Sequence, residues 1–337
     1  MAKFLHTGDL HFGESRYLAN YLNRQVFMMD EIFRVAQENQ VTAVLICGDL
    51  WHRKDTSAKE RDALLDRLIF YSKLVEIFII PGNHDDLGAG YNQIHFLTIL
   101  AQNKKLKNIT ITEQPKLAKV GDQDIIMIPC GKYTSGEFND IVTKLLKKCT
   151  SKPIVMAHEL IHGSATDVGH KSTGGVKIDT SLPVLAWLFG DVHKYQRLAD
   201  NAWYSGAPMQ HNFGDYLPKG VVILDTEKPT EPEFISLDRI PPFIVIEGVP
   251  DVLPEAACIK LLVDSKAVLQ RDLPSHVFPE YKDNSQTDPN WQAQVAQSEE
   301  YDILAGLETL LLAKGVSETL IPLAMAEAAD IRKTVGV

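Results

Sequence analysis

AKFLHTGDLH (residues 2–11) is an apolar run that ends in Gly, Asp and His. The run reads as a buried strand, and the polar end reads as the loop into which that strand opens. Four other stretches repeat the design: AVLICGDLWH (43–52), IFIIPGNHD (77–85), PIVMAHE (153–159) and AWLFGDVH (186–193). Five such strand ends at one sheet edge would gather about seven oxygen and imidazole ligands, enough for two metal ions if one carboxylate is shared.

Outward from these stretches, strand and helix patterns alternate to about residue 225. Strands at 2–7, 42–47 and 76–80 are followed by helices at about 23–39, 57–74 and 92–103, the first with Phe27, Ile32, Phe33 and Ala36 near helical spacing. Strand patterns then cluster at 108–112, 116–120 and 124–129. A helix at about 135–148 leads into IVMAH (154–158) and VLAWLFGD (184–191), and the series ends in AWYSG, GVVILDT and EFISLD. Helices flanking strands that turn antiparallel late fit a two-sheet α/β sandwich better than a doubly wound sheet.

Past RIPPF (239–243) the texture changes. FIVIEGV (243–249) and CIKLLVDS (258–265) read as strands of a small α+β cap over 239–285, with a short helix at 267–273. The polar segment 279–290 reads as a linker. From about 291 two apolar stripes, Ile303, Leu307, Leu310, Leu311 and Leu320, Leu323, Ala324, Ala328, Ile331, flank Gly315 as in a C-terminal helical hairpin over 286–337. The domain reading is therefore 1–238, 239–285 and 286–337.

Composition narrows the function classes. The 337 residues are 45% hydrophobic and 23% charged, and no window reaches the ~18 apolar residues of a membrane span. A cleaved leader at MAKFLHTGDLH would remove the first motif, which argues against secretion. Cys47, Cys130, Cys149 and Cys258 form no CxxC and read as reduced thiols of a cytoplasmic protein. The net charge of −10 argues against a chain that grips DNA alone through phosphate contacts. It leaves room for a nuclease whose metals supply local positive charge and whose partner supplies the grip.

Each motif has a plainer reading beside it. Asp9 and His11, two apart on an extended backbone, would face one ion; alone they are ordinary loop residues. Asp49 closes the second strand with a carboxylate that can bridge two ions. Asn83 offers a neutral carbonyl oxygen, and His84 beside it can reach a substrate; a tight turn is the alternative. HELIH (158–162) spells the zinc-protease motif H-E-x-x-H, which works only on a helix. KPIVMA before it is strand-like and Gly163 follows at once, so His158 reads as a single ligand and His162 as a loop residue. Asp191 and His193 repeat the spacing of Asp9 and His11.

In this order the segments resemble the calcineurin-like metallophosphoesterase superfamily, whose pattern runs D-x-H, G-D, G-N-H-[DE], a His, then G-H-x-H. GDLWH is similar to the GDLFH of the SbcD-type DNA-repair nucleases, and YSGAPMQHNFGD (204–215) to their Y-x-G-S-P-x-x-x-x-F-x-E block. The compact ending resembles a phage or other mobile-element version. The resemblance covers about the first 225 residues. It departs at Asp191, where the family has His; Asp is a hard ligand suited to manganese and less to zinc.

The resemblance implies two divalent ions, manganese first and magnesium as the alternative. Asp9, His11, Asp49 and His193 would hold one; Asp49, Asn83, His158 and Asp191 the other. It implies phosphodiester hydrolysis by a metal-activated water, with His84 as the proton donor or phosphate contact, Asp85 orienting its imidazole, and His52 helping to place the scissile phosphate. The implied partners are DNA, an SMC-like ATPase of SbcC type and a second copy of the chain. The C-terminal hairpin would dock on the ATPase or pack on its own core. Leu64, Leu65, Leu68 and Phe96, Leu97, Leu100 would serve a homodimer or the core. The alternatives are a phosphoesterase acting on small molecules or proteins, and a non-catalytic scaffold, which would be expected to have lost ligands.

Overall fold

A computed structural model of the chain describes residues 2–13, 21–52, 56–85, 108–165, 171–215, 218–254, 256, 258–263, 274 and 277–281. The chain divides into two compact units, 1–280 and 281–337, and the described residues belong to the first, Tyr281 aside. The helices expected at 92–103 and 267–273, and the C-terminal hairpin, lie outside the described residues.

Two six-stranded sheets form the body. In the first the order is β12-β11-β1-β2-β3-β4, with β1 Lys3–Thr7, β2 Ala43–Cys47, β3 Glu76–Ile80, β4 Ile109–Ile111, β11 Gly220–Asp225 and β12 Glu233–Ser236. In the second it is β5-β6-β7-β8-β10-β9, with β5 Lys116–Val120, β6 Gln123–Ile128, β7 Ile154–His158, β8 Ala186–Gly190, β9 Gln196–Ala199 and β10 Ala202–Tyr204. Both are parallel at the centre and antiparallel at an edge: β1, β2, β3 and β4 run together, as do β6, β7, β8 and β10, while β11, β12, β5 and β9 run against their neighbours. The two-sheet α/β sandwich is thus observed.

Alternation on each strand sorts side chains between two layers. Phe4, Leu45, Cys47, Phe78 and Ile80 meet Ile125, Met127, Ile154, Met156 and Leu188 between the sheets. Leu5, Val44, Ile46, Ile77 and Ile79 face α1 (Tyr21–Glu38) and α2 (Ala58–Tyr71). Val155, Ala157, Trp187 and Phe189 face α3 (Ser135–Leu146) through Phe138 and Val142. The central strands are therefore covered on both faces, which is why they are apolar throughout. Capping boxes start two of the helices, Ser57 with Glu60 for α2 and Thr134 with Glu137 for α3.

Leu64 and Leu68 are buried against the first sheet and Leu65 is partly buried beside them, so this stripe is core rather than interface. A third sheet, β13-β14-β15, contains β13 Phe243–Glu247, β14 Cys258–Val263 and β15 Val277–Tyr281. The first two are the strands expected near 243 and 258. The third overlaps the start of the segment read as a linker, where Pro279 conceals a strand. No helix among the described residues is long and apolar enough to cross a membrane.

Candidate metal centre

The parallel strands of both sheets open at the same rim. Asp9 and His11 follow β1, Asp49 follows β2, and Asn83, His84 and Asp85 follow β3. His158 ends β7, and Asp191 and His193 follow β8. The loops after β1 and β2 are zipped together by Asp9 N–H to Gly48 O (3.0 Å), His11 N–H to Asp49 O (3.0 Å), Phe12 N–H to Leu50 O (2.8 Å) and His52 N–H to Phe12 O (2.9 Å). His158 joins the two sheets, because its Nδ1 donates to the Cys47 carbonyl at 2.7 Å.

Three motif glycines make room for this convergence. A Cβ on Gly48 would lie 2.2 Å from His158 Nδ1, one on Gly82 2.1 Å from Asp49 Oδ1, and one on Gly190 1.9 Å from the Cys47 carbonyl oxygen. The backbone is also unusual at the charged positions. Asp9, His11, Asp49 and Asp191 have φ of 54°, 46°, 53° and 102°. The extended backbone expected to align Asp9 with His11 is therefore replaced by left-handed turns, a strained geometry that clusters at functional sites.

The side chains fall into two groups that share Asp49. Asp49 Oδ2 lies 3.6 Å from His11 Nε2, and His11 Nε2 lies 3.0 Å from His193 Nε2. Asp49 Oδ1 lies 3.4 Å from His158 Nε2, which is 2.9 Å from Asn83 Oδ1 and 3.8 Å from Asp191 Oδ1. Ligand bonds of about 2.1 Å place neighbouring donor atoms about 3.0–3.4 Å apart in octahedral or tetrahedral shells. These spacings fit two divalent ions. Asp9, His11 and His193, and separately Asp9, Asp49 and His158, have ligand atoms within 4.8 Å of one another.

The protonation pattern fits cations as well. Burial, with Asp49 adding to it and His158 and His193 opposing, raises Asp9 to about 6. For His158, burial would lower the pKa, but the carboxylates of Asp49, Asp9 and Asp191 prevail and raise it to about 9. Asp191 is raised, first by burial. The rim thus crowds carboxylates together in a buried setting, a repulsion that bound cations would relieve. Hydrogen bonds set the imidazoles for this. With Nδ1 of His158 donating to a carbonyl, its Nε2 lone pair is left for a ligand bond.

His84 and Asp85 are also at the rim. His84 N–H donates to Asp49 Oδ1 (3.0 Å), and its Nδ1 donates to the His52 carbonyl (2.8 Å), leaving Nε2 for proton transfer. The His52 ring sits 5.6 Å from that of His84. Asp85 does not orient the His84 imidazole as expected. Its carboxylate accepts instead from Gly82 N–H (2.8 Å), Trp51 N–H (2.9 Å) and Leu50 N–H (3.2 Å), clamping the loop after β2 to the loop after β3. His162 lies outside the ligand groups, its Nδ1 on the Thr173 carbonyl, and HELIH is not helical, so the protease geometry is absent.

Several supporting residues lay beneath the sequence patterns. Asp215 Oδ1 lies 4.0 Å from His193 Nδ1, and His193 is raised by it against the downward pull of burial. Gln25, buried on α1, donates to the His11 carbonyl (2.5 Å) and accepts from Gly13 N–H (3.1 Å). His211 is bonded to the Asp9 main chain. Asp215 was visible as the last residue of the 204–215 block; a lone Gln on a helix gave no signal.

Residues 2–195 match the family model described as calcineurin-like phosphoesterase. The chain is 24% identical over 356 residues to a Staphylococcus saprophyticus protein named as one component of the nuclease SbcCD, covering 95% of this chain and 91% of that one. It is 23% identical over 206 residues to the DNA double-strand break repair protein Mre11 of Archaeoglobus fulgidus, covering 57% of this chain and 46% of that one. A dimetal phosphatase from Danio rerio is similar in structure with a TM-score of 0.43 at 12% identity, over 70% of this chain and 98% of that one. The match runs through all five strand ends, and the chain belongs to the calcineurin-like phosphoesterase family.

Proposed function

We propose that the chain is a manganese-dependent DNA nuclease, the nuclease subunit of an SbcCD-type repair complex. The observation that carries the two-ion reading is Asp49, which turns Oδ2 toward His11 and Oδ1 toward His158. Asp9, His11, Asp49 and His193 would hold one ion, and Asp49, Asn83, His158 and Asp191 the other. Bound there, divalent ions would acidify a water and offset phosphoryl charge. His84, held at Nδ1 by the His52 carbonyl, would act as the imidazolium, giving its Nε2 proton to the leaving oxygen and returning to the neutral ring with Nδ1–H still on that carbonyl. Asp85 would keep the Asn83–His84 turn against the loop of Asp49. Manganese, with magnesium as the alternative, suits a second group of three oxygen ligands and one imidazole.

The DNA assignment draws on the 204–215 block, whose His211 and Asp215 border the first group, and on the nuclease relative that aligns with 95% of the chain. The net charge of −10 favours leaving DNA grip to a partner, which would be an SMC-like ATPase of SbcC type. Residues 1–238 would form the nuclease domain, 239–285 a cap and 286–337 the ATPase dock. Exposed Ile69, Phe70 and Leu74, at and just beyond the end of α2, support a homodimer contact there. Four unpaired cysteines suit the cytoplasm.

The test is incubation with linear duplex DNA and manganese, with and without an SbcC-type ATPase. Shortened DNA, lost in His84→Ala with manganese still bound, is expected. Turnover of an aryl phosphodiester with DNA left intact in both arms would replace this reading with a phosphoesterase of small molecules or proteins.

A further inference from the structure

We infer that His211 is a positioning residue that locks the first group of ligands in place through the main chain of Asp9; this rests on the two-ion reading above. His211 occupies an unspecified position of the Y-x-G-S-P-x-x-x-x-F-x-E block, so the family resemblance gives it no role.

Its hydrogen bonds fix both ring nitrogens. Nε2 lies 3.1 Å from the Asp9 carbonyl oxygen, which can only accept, so Nε2 carries the hydrogen. Nδ1 is then the acceptor in the neutral ring, and the Tyr21 hydroxyl donates to it at 2.9 Å. The tautomer and the ring plane are set together. The ring edge also packs against two ligands, with centroids 5.0 Å from His11 and 5.6 Å from His193. One side chain thereby touches three of the four residues of the first group.

Asp9 needs such a clamp. Its φ of 54° is unfavourable for a residue with a Cβ, and its carboxylate also accepts from Asp191 N–H at 3.1 Å. A carbonyl held from outside keeps the peptide from rotating to a relaxed conformation.

His211 is itself anchored from behind. Its own N–H donates to Asp215 Oδ2 at 2.6 Å. Gln210 accepts from Phe243 N–H at 2.8 Å, and the Gln210 carbonyl accepts from Arg24 at 2.7 Å. The segment that carries His211 is therefore stitched to α1 and to the first residue of β13. The second group is held by other contacts: Asp85 clamps the loops that carry Asp49 and Asn83, and the Cys47 carbonyl fixes His158.

The test is manganese binding by titration calorimetry and electron paramagnetic resonance on the full chain. His211→Leu removes the donor to Asp9 and is expected to weaken the ion of the first group by about 10–100-fold, and the other, which Asp9 also borders, by much less. At limiting manganese its spectrum should shift from a spin-coupled pair to an isolated ion. His211→Gln places an amide donor near the same point and should restore both readouts. Tyr21→Phe frees Nδ1 and should weaken the same ion by about two- to tenfold; it carries the test if His211→Leu melts at assay temperature. Two ions bound with wild-type affinities in His211→Leu, or in Tyr21→Phe if that variant carries the test, would overturn the role of His211. A wild-type chain that binds fewer than two ions would overturn the two-ion reading instead.

Discussion

His158 and His6 are both wholly buried histidines on central strands, one at the rim of the sandwich and one in its interior. At the rim, His158 is met by Asp49, Asp9 and Asp191, which outweigh burial and hold its pKa near 9. In the interior, burial lowers His6 to about 3 against a smaller upward pull from the Phe189 backbone, and neither ring nitrogen has a partner in hydrogen-bond geometry. Burial alone therefore does not decide how a histidine behaves. The rim concentrates charge and strained backbone, while the interior pays for packing with an unsatisfied ring.

The largest effect is expected where the rim is tightest. Gly82→Ala would put a Cβ 2.1 Å from Asp49 Oδ1 and 2.8 Å from His158 Cε1. Asp49 must then turn away from both groups. Phosphoester hydrolysis should fall by about 100-fold or more, as for an ångström-scale misplacement at a reacting centre. Unfolding stability should drop by about 1–3 kcal/mol from overpacking. Gly121→Ala, with a φ of 54° but open space around its Cβ, tests backbone strain alone and should leave manganese binding intact. Equal losses of bound manganese in the two variants would remove the packing argument.

A smaller effect separates the two ligand groups. Asp191→His exchanges a hard oxygen for an imidazole in the second group, and the side chain is partly open to solvent, so the larger ring has room. Zinc should gain on manganese by about tenfold or more at one ion only. Competition titration reads the ratio; an unchanged ratio would mean that Asp191 is not a ligand.

The strand ends were legible because a central strand must be apolar on both faces and its loop is then the first polar residue. That rule marks Asp9, Asp49, His158 and Asp191, and it separates HELIH from a protease helix. Backbone conformation was not legible: the left-handed φ of Asp9, His11 and Asp49 depends on how two loops zip together across about forty residues. The role of Asp85 is hidden for the same reason. A carboxylate next to a histidine in sequence suggests a pair, whereas in space three amides of two loops reach the carboxylate first. The edge strand β9, QRLA, is half exposed and too polar to stand out as a strand. Gln25 and His211 act on main-chain atoms, which leave no pattern in their own sequence.

The smallest effect concerns the interior. Unfolded, His6 titrates near 6.5; folded, it is held to about 3. Between these values the unfolded chain binds more protons at this position. Its contribution to stability is thus complete above about pH 6.5 and is lost as pH falls toward 3, with a slope of up to about 1.4 kcal/mol per pH unit. Asp9 and Asp85, raised to about 6 and about 7 by burial, act in the opposite sense over part of this window, because the folded chain takes up their protons. The wild-type curve alone would blur the two. The difference between wild type and His6→Leu cancels every group common to both chains. Denaturant titrations from pH 8 to pH 4.5 should show the gap shifting steadily in favour of the variant as pH falls below about 6.5, and staying flat above it. At pH 8 the variant should be no less stable, since it removes a buried imidazole whose polar contact is a weak one to the Phe189 backbone, and an unmet buried polar group costs about 1–3 kcal/mol. Parallel curves throughout would mean that His6 gains its proton without unfolding the chain, and the contrast with His158 would then lie in solvation rather than in neighbouring charge.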